Sequence, residues 1–218
     1  MPELVSIPIS YFEIAITYLR PEIKLWLDRA EIVQAMYETF APWEGKIDDI
    51  EPQTTGKPSE QGVKFNLPNK KISFFFGAAS CKFSKDAATW ATAGETITIL
   101  DSALSTLTRI TNVKLGKQAT SLALHLQPKT LSNKDLIRPF LDERLAMLEN
   151  TPVTAMAHIA RWGNRRVTID GSAALANAVF LHLERDFEAP INYQTIRDQI
   201  LADELAVFKM LDVEEELP

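Results

Sequence analysis

TAGETITILDSALSTLTRITNVKLGKQATSLALHLQ, residues Thr92–Gln127, changes its hydrophobic period partway along. In its first part apolar residues fall at Ile97, Leu100, Leu104, Leu107 and Ile110. Steps of three and four residues mark one face of a helix. Thr98, Asp101, Ser105, Thr108 and Arg109 take the outer face. Threonine is a poor helix former, so packing must hold this helix. In the second part Leu122, Leu124 and Leu126 alternate with Ala123, His125 and Gln127, which predicts a strand with one buried face. Pro128 ends its ladder.

Working back from this stretch, SYFEIAITYL (Ser10–Leu19) alternates Phe12, Ile14, Ile16 and Tyr18 against Glu13, Ala15 and Thr17, another strand. A helix is expected from Asp28, with Glu31 completing a capping-box-like pair and Leu27 and Ile32 a staple. Ile32, Val33, Met36, Tyr37 and Phe40 line its face, and Pro42 stops it. The polar stretch between Gly45 and Gly62 reads as a loop with a short strand around Ile47–Ile50. Val63–Leu67 and Lys71–Phe76 form a hairpin through Pro68-Asn69. Gly77 suggests a bulge before Ser80–Phe83 continues the pairing. Phe74, Phe75 and Phe76 place aromatic rings on both faces of their strand.

Working forward, a helix starts at Ser132, with Asp135 at its third position and Leu136, Ile137, Phe140, Leu141, Leu145 and Leu148 as its stripe. Pro139 forces a kink or a late start. Strands are expected at Val153–Ile159, Arg166–Asp170 and Asn177–Phe187, the first two joined by the tight turn Gly163-Asn164. A last helix is capped by Asn192. Its face of Tyr193, Ile196, Ile200, Val207, Phe208 and Leu211 is interrupted by Glu204. The acidic run Glu214-Glu215-Glu216 follows a helix C-terminus, where negative charge is unfavourable, so fraying is expected there.

This order predicts an α+β protein of two similar β-α-β-β-β-α halves, residues 1–112 and 113–218. Antiparallel sheets would carry helices on one face and leave the other as a concave surface or cleft for a ligand or partner.

With 23 basic and 29 acidic residues the chain carries a formal charge of −6 and has no basic stripe, which argues against nucleic acid as its partner. The cluster Arg161, Arg165 and Arg166 flanks the Gly163 turn and reads as a solvated hairpin tip. Cys81 is the single cysteine, so no intrachain disulfide forms; its neighbours Phe76 and Phe83 favour a buried thiol. Glu3 and Glu13 break the N-terminal apolar run, and no segment has the length of a membrane span, so a soluble cytoplasmic protein is expected. Trp26, Trp43, Trp90 and Trp162 fall near element ends, as core edges or interface anchors.

The histidines His125, His158 and His182 all fall in expected strands. His182, Glu184 and Asp186 share one face of one strand by alternation, and His125 holds the matching place in the other half. Two imidazoles and two carboxylates on a sheet face can bind a ligand, take a divalent metal or move protons. They can also be a hydrogen-bonded polar face and no more. No nucleotide-binding, nucleophile-elbow or metalloprotease motif is present, so no catalytic residue, metal ligand or cofactor is assigned.

FEIAITYL, the helix ending FAP (residues 40–42), LTRITNVKLG (107–116) and the closing FLHLERDFEAPI (180–191) resemble a sporadically distributed family of bacterial proteins of about this size or a little larger. That family has no established activity, so the resemblance implies a bacterial origin and no site residues. The function expected is a non-catalytic binding or protein-interaction module, with a protein partner or self-association favoured over nucleic acid or membrane. Two alternatives stand beside it: an enzyme or metal-binding protein using the His182/Glu184/Asp186 face, and an acidic immunity- or antitoxin-type protein neutralising a basic partner.

Overall fold

The computed structural model describes residues 2–27, 29–140, 147–148, 151–152 and 158–216. The chain runs β1 (Glu3–Tyr18), α1 (Lys24–Leu27), α2 (Ala30–Phe40), β2 (Ile50–Gln53), β3 (Gly62–Leu67), β4 (Ile72–Gly77), β5 (Ser80–Asp86), α3 (Ala93–Thr111) and β6 (Leu115–Pro128). It continues with α4 (Asn133–Ile137), the two-residue strands β7 (Met147–Leu148) and β8 (Thr151–Pro152), β9 (His158–Trp162), β10 (Arg165–Gly171), β11 (Val179–Phe187), α5 (Tyr193–Leu211) and β12 (Val213–Glu215). The fold is α+β and dominated by antiparallel sheet. The expected internal repeat of two β-α-β-β-β-α halves is not confirmed: four strands, β2 to β5, lie between α2 and α3.

Two compact units divide the chain. The first comprises Met1–Ser10, Ser121–Arg185 and Asp198–Pro218; the second comprises Tyr11–Thr120 and Asp186–Arg197. The long strands β1 and β6 are each divided between the two units, after Ser10 and after Thr120.

In the second unit the strand order is β2-β3-β4-β5-β1-β6. Alternation buries Val63, Phe65, Leu67, Ile72, Phe74, Phe76, Cys81, Phe83, Ile14 and Ile16 on one face. Phe40 of α2 lies over that face, 5.0 Å from the Phe74 ring and 5.7 Å from Phe65. Helices α2 and α3 meet through the Thr39 and Thr106 hydroxyls, 2.9 Å apart. Ile99, Leu100, Ala103, Leu104 and Leu107 are the buried apolar residues of α3, with Ile97 and Ile110 only half-buried at its two ends. The opposite face of the sheet satisfies itself. Tyr11 donates to Glu13 (2.6 Å), Lys82 pairs with Glu13 (2.8 Å), and Asn66 donates to Glu51 (2.8 Å). Phe75, the ring on this face, is half-buried.

Tight approach explains one glycine. A Cβ on Gly62 would stand 2.2 Å from the Phe76 carbonyl oxygen, so no side chain fits where β3 begins against β4. The bulge expected at Gly77 is instead the end of β4. A hairpin turns there, and β5 returns with Cys81 opposite Phe76. The short strand expected around Ile47–Ile50 starts at Ile50, after a single 3₁₀ turn over Ile47–Asp49. Helix α2 begins at Ala30 with Arg29 at its N-cap and no side-chain cap; Asp28, where the cap was expected, lies outside the described residues.

In the first unit β6, β11, β10 and β9 follow in order, and β1 is flanked by β6 and β12. Leu122, Leu124, Leu126, Val167, Ile169, Val179, Leu181 and Leu183 form the buried face, covered by Ile200, Val207, Phe208 and Leu211 of α5. Ser132 caps α4, its hydroxyl accepting from the Asp135 N–H (3.1 Å). The helix ends at Ile137, and Pro139 sits in a 3₁₀ turn over Arg138–Phe140. The side chains expected to extend its stripe, from Phe140 to Leu148, and residues 153–157 of the next expected strand lie outside the described residues. Gly163-Asn164 is a two-residue hairpin turn, with Gly163 at φ +57° as the first residue of a II′ turn requires. Asn192 caps α5 through the Gln194 N–H (2.8 Å).

The expected fraying of Glu214-Glu215-Glu216 does not occur. Val213–Glu215 pairs in parallel with Glu3–Val5, Glu216 N–H donates to the Val5 carbonyl (2.8 Å), and Lys129 bonds the Glu216 carboxylate. Ladder hydrogen bonds and one cation outweigh a weak helix-end repulsion.

Candidate functional site

β10 and β11 pair with Thr168 opposite His182, Arg166 opposite Glu184 and Asp170 opposite Phe180. β9 places Ile159 opposite Thr168 and Arg161 opposite Arg166. These residues therefore share the face of the first unit's sheet turned away from its apolar core. On β6 the residues alternating with Leu122, Leu124 and Leu126 are Ser121, Ala123 and His125, which are half-buried on this same polar face.

Three rings are in sequence there. His125 stands 5.2 Å from Phe180, centroid to centroid, and Phe180 stands 5.9 Å from His182 at an interplanar angle of 24°. Each imidazole is oriented by a serine. His125 Nδ1 lies 2.7 Å from Ser172 Oγ, and His182 Nε2 lies 2.6 Å from Ser121 Oγ. Ser172 Oγ already accepts from the N–H groups of Ala174 (3.2 Å) and Leu175 (3.0 Å). Its hydrogen is left to donate to His125 Nδ1, which fixes His125 as the tautomer protonated at Nε2. The other nitrogen of His182, Nδ1, faces Glu184 Oε2 at 3.8 Å. Glu184 in turn is gripped by Arg166 through Nε and Nη2.

The structure therefore brings together three of the four residues singled out in the sequence: His125, His182 and Glu184. Asp186 is exposed, falls in the second unit, and its charge helps to raise the Lys117 ammonium above the usual lysine range, after the larger effect of Glu188. His158 pairs opposite Ile169, which turns it to the other face of the sheet. Among the described residues no three or more His, Cys, Asp and Glu side chains converge to hold a metal ion. Glu184, the carboxylate nearest His182, is committed to a guanidinium.

Ser121, Arg166, Ser172 and Phe180 complete the face and were missed in the sequence. Parity along β6 and β11 could have found Ser121 and Phe180, each an even number of residues from a histidine already chosen. Ser172 lies just beyond β10, where no periodicity reaches.

Cys81 plays no part in this face. It is buried on β5 of the second unit. Burial above all pushes its thiol up from 9.0 to about 12. The phenol of Tyr18 is lifted as well, chiefly by burial and then by Cys81. The native protein is therefore expected to react slowly with an aromatic disulfide reagent at mildly alkaline pH, and the urea-unfolded chain quickly. Between pH 9 and about 12 the unfolded thiol is ionised while the native one is not. The unfolded state then binds fewer protons, so stability falls as pH rises through that window. Equal thiol reactivity in the native and unfolded protein would contradict this.

Of the tryptophans with described side chains, Trp43 and Trp90 are half-buried, and Trp162 is exposed with the Arg165 guanidinium 6.0 Å from its ring. No helix among the described residues is long and apolar enough to cross a membrane. No model of a known protein family matches the chain, and none of the curated proteins compared with it does.

Proposed function

We propose that this chain is a binding module and that the His125/Phe180/His182 face of its first unit is the recognition surface. The observation that carries this reading is the run of three half-buried rings, two of them oriented by serine hydroxyls. Rings held in place before a ligand arrives lose little freedom on binding. The ligand group that fits them is a planar aromatic one, stacking or packing edge-on against Phe180 and the imidazoles. Arg161, exposed across from Arg166, would meet an acidic substituent on it. A small aryl compound with a carboxylate meets both requirements. The formal charge of −6 supports a ligand or protein partner over nucleic acid. A metal-dependent reading on His182, Glu184 and Asp186 draws little support, since Arg166 holds Glu184 and Asp186 is exposed and belongs to the second unit.

A screen of small aryl carboxylates, read in the aromatic carbon–proton NMR spectrum, tests this. Hits should shift the His125, Phe180 and His182 signals, and Phe180→Ala should weaken them about tenfold, the worth of one good ring contact. Hits confined to other signals, or hits indifferent to Phe180→Ala, would count against the surface.

A further inference from the structure

The two serine–histidine pairs on this face are built differently, and the difference is chemical. Ser172 is spent. Two backbone N–H groups occupy its lone pairs and its proton goes to His125. Ser121 has one hydrogen bond among the described residues, to His182 Nε2 at 2.6 Å, so its oxygen lone pairs are available. The imidazoles are also turned opposite ways. His125 meets its serine with Nδ1, whereas His182 meets Ser121 with Nε2 and shows Nδ1 to the Glu184 carboxylate at 3.8 Å. That order of hydroxyl, Nε2, Nδ1 and carboxylate is what general-base activation of a serine requires. A separation of 3.8 Å is long for a hydrogen bond, but such bonds commonly tighten when substrate excludes water. Arg166 fixes the carboxylate, and Phe180 packs on the flank of His182.

We infer that Ser121 is a nucleophile activated by His182 and Glu184, and that the face cleaves aryl esters by acyl transfer. The inference rests on the aromatic-binding reading above, which supplies the place for the aryl group. In the first step Ser121 Oγ attacks the ester carbonyl carbon and its proton passes to His182 Nε2. The carbon–oxygen bond to the aryl alcohol then breaks, and the alcohol leaves with that proton. In the second step water gives a proton to the same nitrogen, its oxygen attacks the acyl-serine, and the carboxylic acid leaves as the proton returns to Ser121. Glu184 stabilises the imidazolium formed in each step.

Acylation of the full chain by p-nitrophenyl acetate, followed by intact mass and peptide mapping, tests this. The expected result is a single acetyl group on Ser121, absent in Ser121→Ala and formed about 100-fold more slowly in His182→Gln, the usual worth of a general base. Glu184→Gln should slow it by a smaller factor, and circular dichroism must show each variant folded. Acetylation scattered over lysines, or a Ser121 adduct indifferent to His182→Gln, overturns the inference. If aryl carboxylates still shift the Phe180 signals while Ser121 stays unmodified, the binding surface stands and the nucleophile does not.

Discussion

Asp203→Ala is expected to lower the free energy of unfolding by about 3 kcal/mol, the low end for breaking a buried ion pair. Asp203 lies on the α5 face that packs on the first unit's sheet and is only 8 % exposed. Arg165 Nε stands 3.1 Å from its Oδ1, and Arg185 Nη1 stands 2.9 Å from its Oδ2. The two arginines are directly opposite each other on β10 and β11. Removing the carboxylate therefore leaves two guanidinium groups side by side with their shared counter-charge gone, which costs far more than the lost attraction. Arg165 is a third exposed and recovers some hydration, which sets the estimate at the low end. Urea denaturation with an unchanged slope would measure the loss. A change below about 1 kcal/mol, the worth of a surface pair, would show that the cluster is solvated. Replacing Asp203, Arg165 and Arg185 together with apolar residues of similar volume should restore most of the stability.

Phe74→Ala is expected to cost about 4 kcal/mol, within the range for deleting a buried aromatic ring. Phe74 is 1 % exposed and sits at the centre of the second unit's core. Its ring stands 5.0 Å from Phe40, 5.1 Å from Phe83 and 5.8 Å from Phe76, with the Phe76 ring nearly parallel at 7°. The cavity left behind is lined by rigid rings on three sides, which cannot close over it. Phe75→Ala, one residue along on the half-buried face, should cost less than about 2 kcal/mol, because solvent already reaches that ring. Equal losses for the two would mean that the helices do not seal the Phe74 side. The comparison separates the two faces of one strand that the sequence FFF leaves equivalent.

Most of the elements were legible because their signals are local. The alternation in TSLALHLQ, the caps at Ser132 and Asn192, and the Gly163-Asn164 turn each depend on residues within four positions of one another. Where the local signal fails, so did the reading. β1 was expected from Ser10 but starts at Glu3, because its burial pattern slips by one residue at Pro8-Ile9. Val5 and Ser10 are both buried although an odd number of positions separates them, and a proline that cannot donate to the ladder stands between. β6 begins at Leu115, seven residues before Leu122 opens the leucine alternation, because its buried positions there are Gly116, Gln118 and Thr120. Gln118 is buried as an acceptor for the Ile191 N–H (3.3 Å), a role no hydropathy pattern announces.

The sequence by itself determined the leucine alternation of β6, the apolar face of α3, the caps at Ser132 and Asn192 and the shared face of His182 and Glu184, since period and parity are properties of one segment. The tertiary structure alone decided which segments lie side by side. Ser121 and His182 are 61 residues apart, and His125 and Ser172 are 47 apart. Asp203, beside the Glu204 that interrupts the apolar face of the last helix, meets its partners only when Arg165 and Arg185 are brought to it. Register between distant strands is fixed by the summed burial of both faces and by turn geometry, so no single stretch of residues contains it.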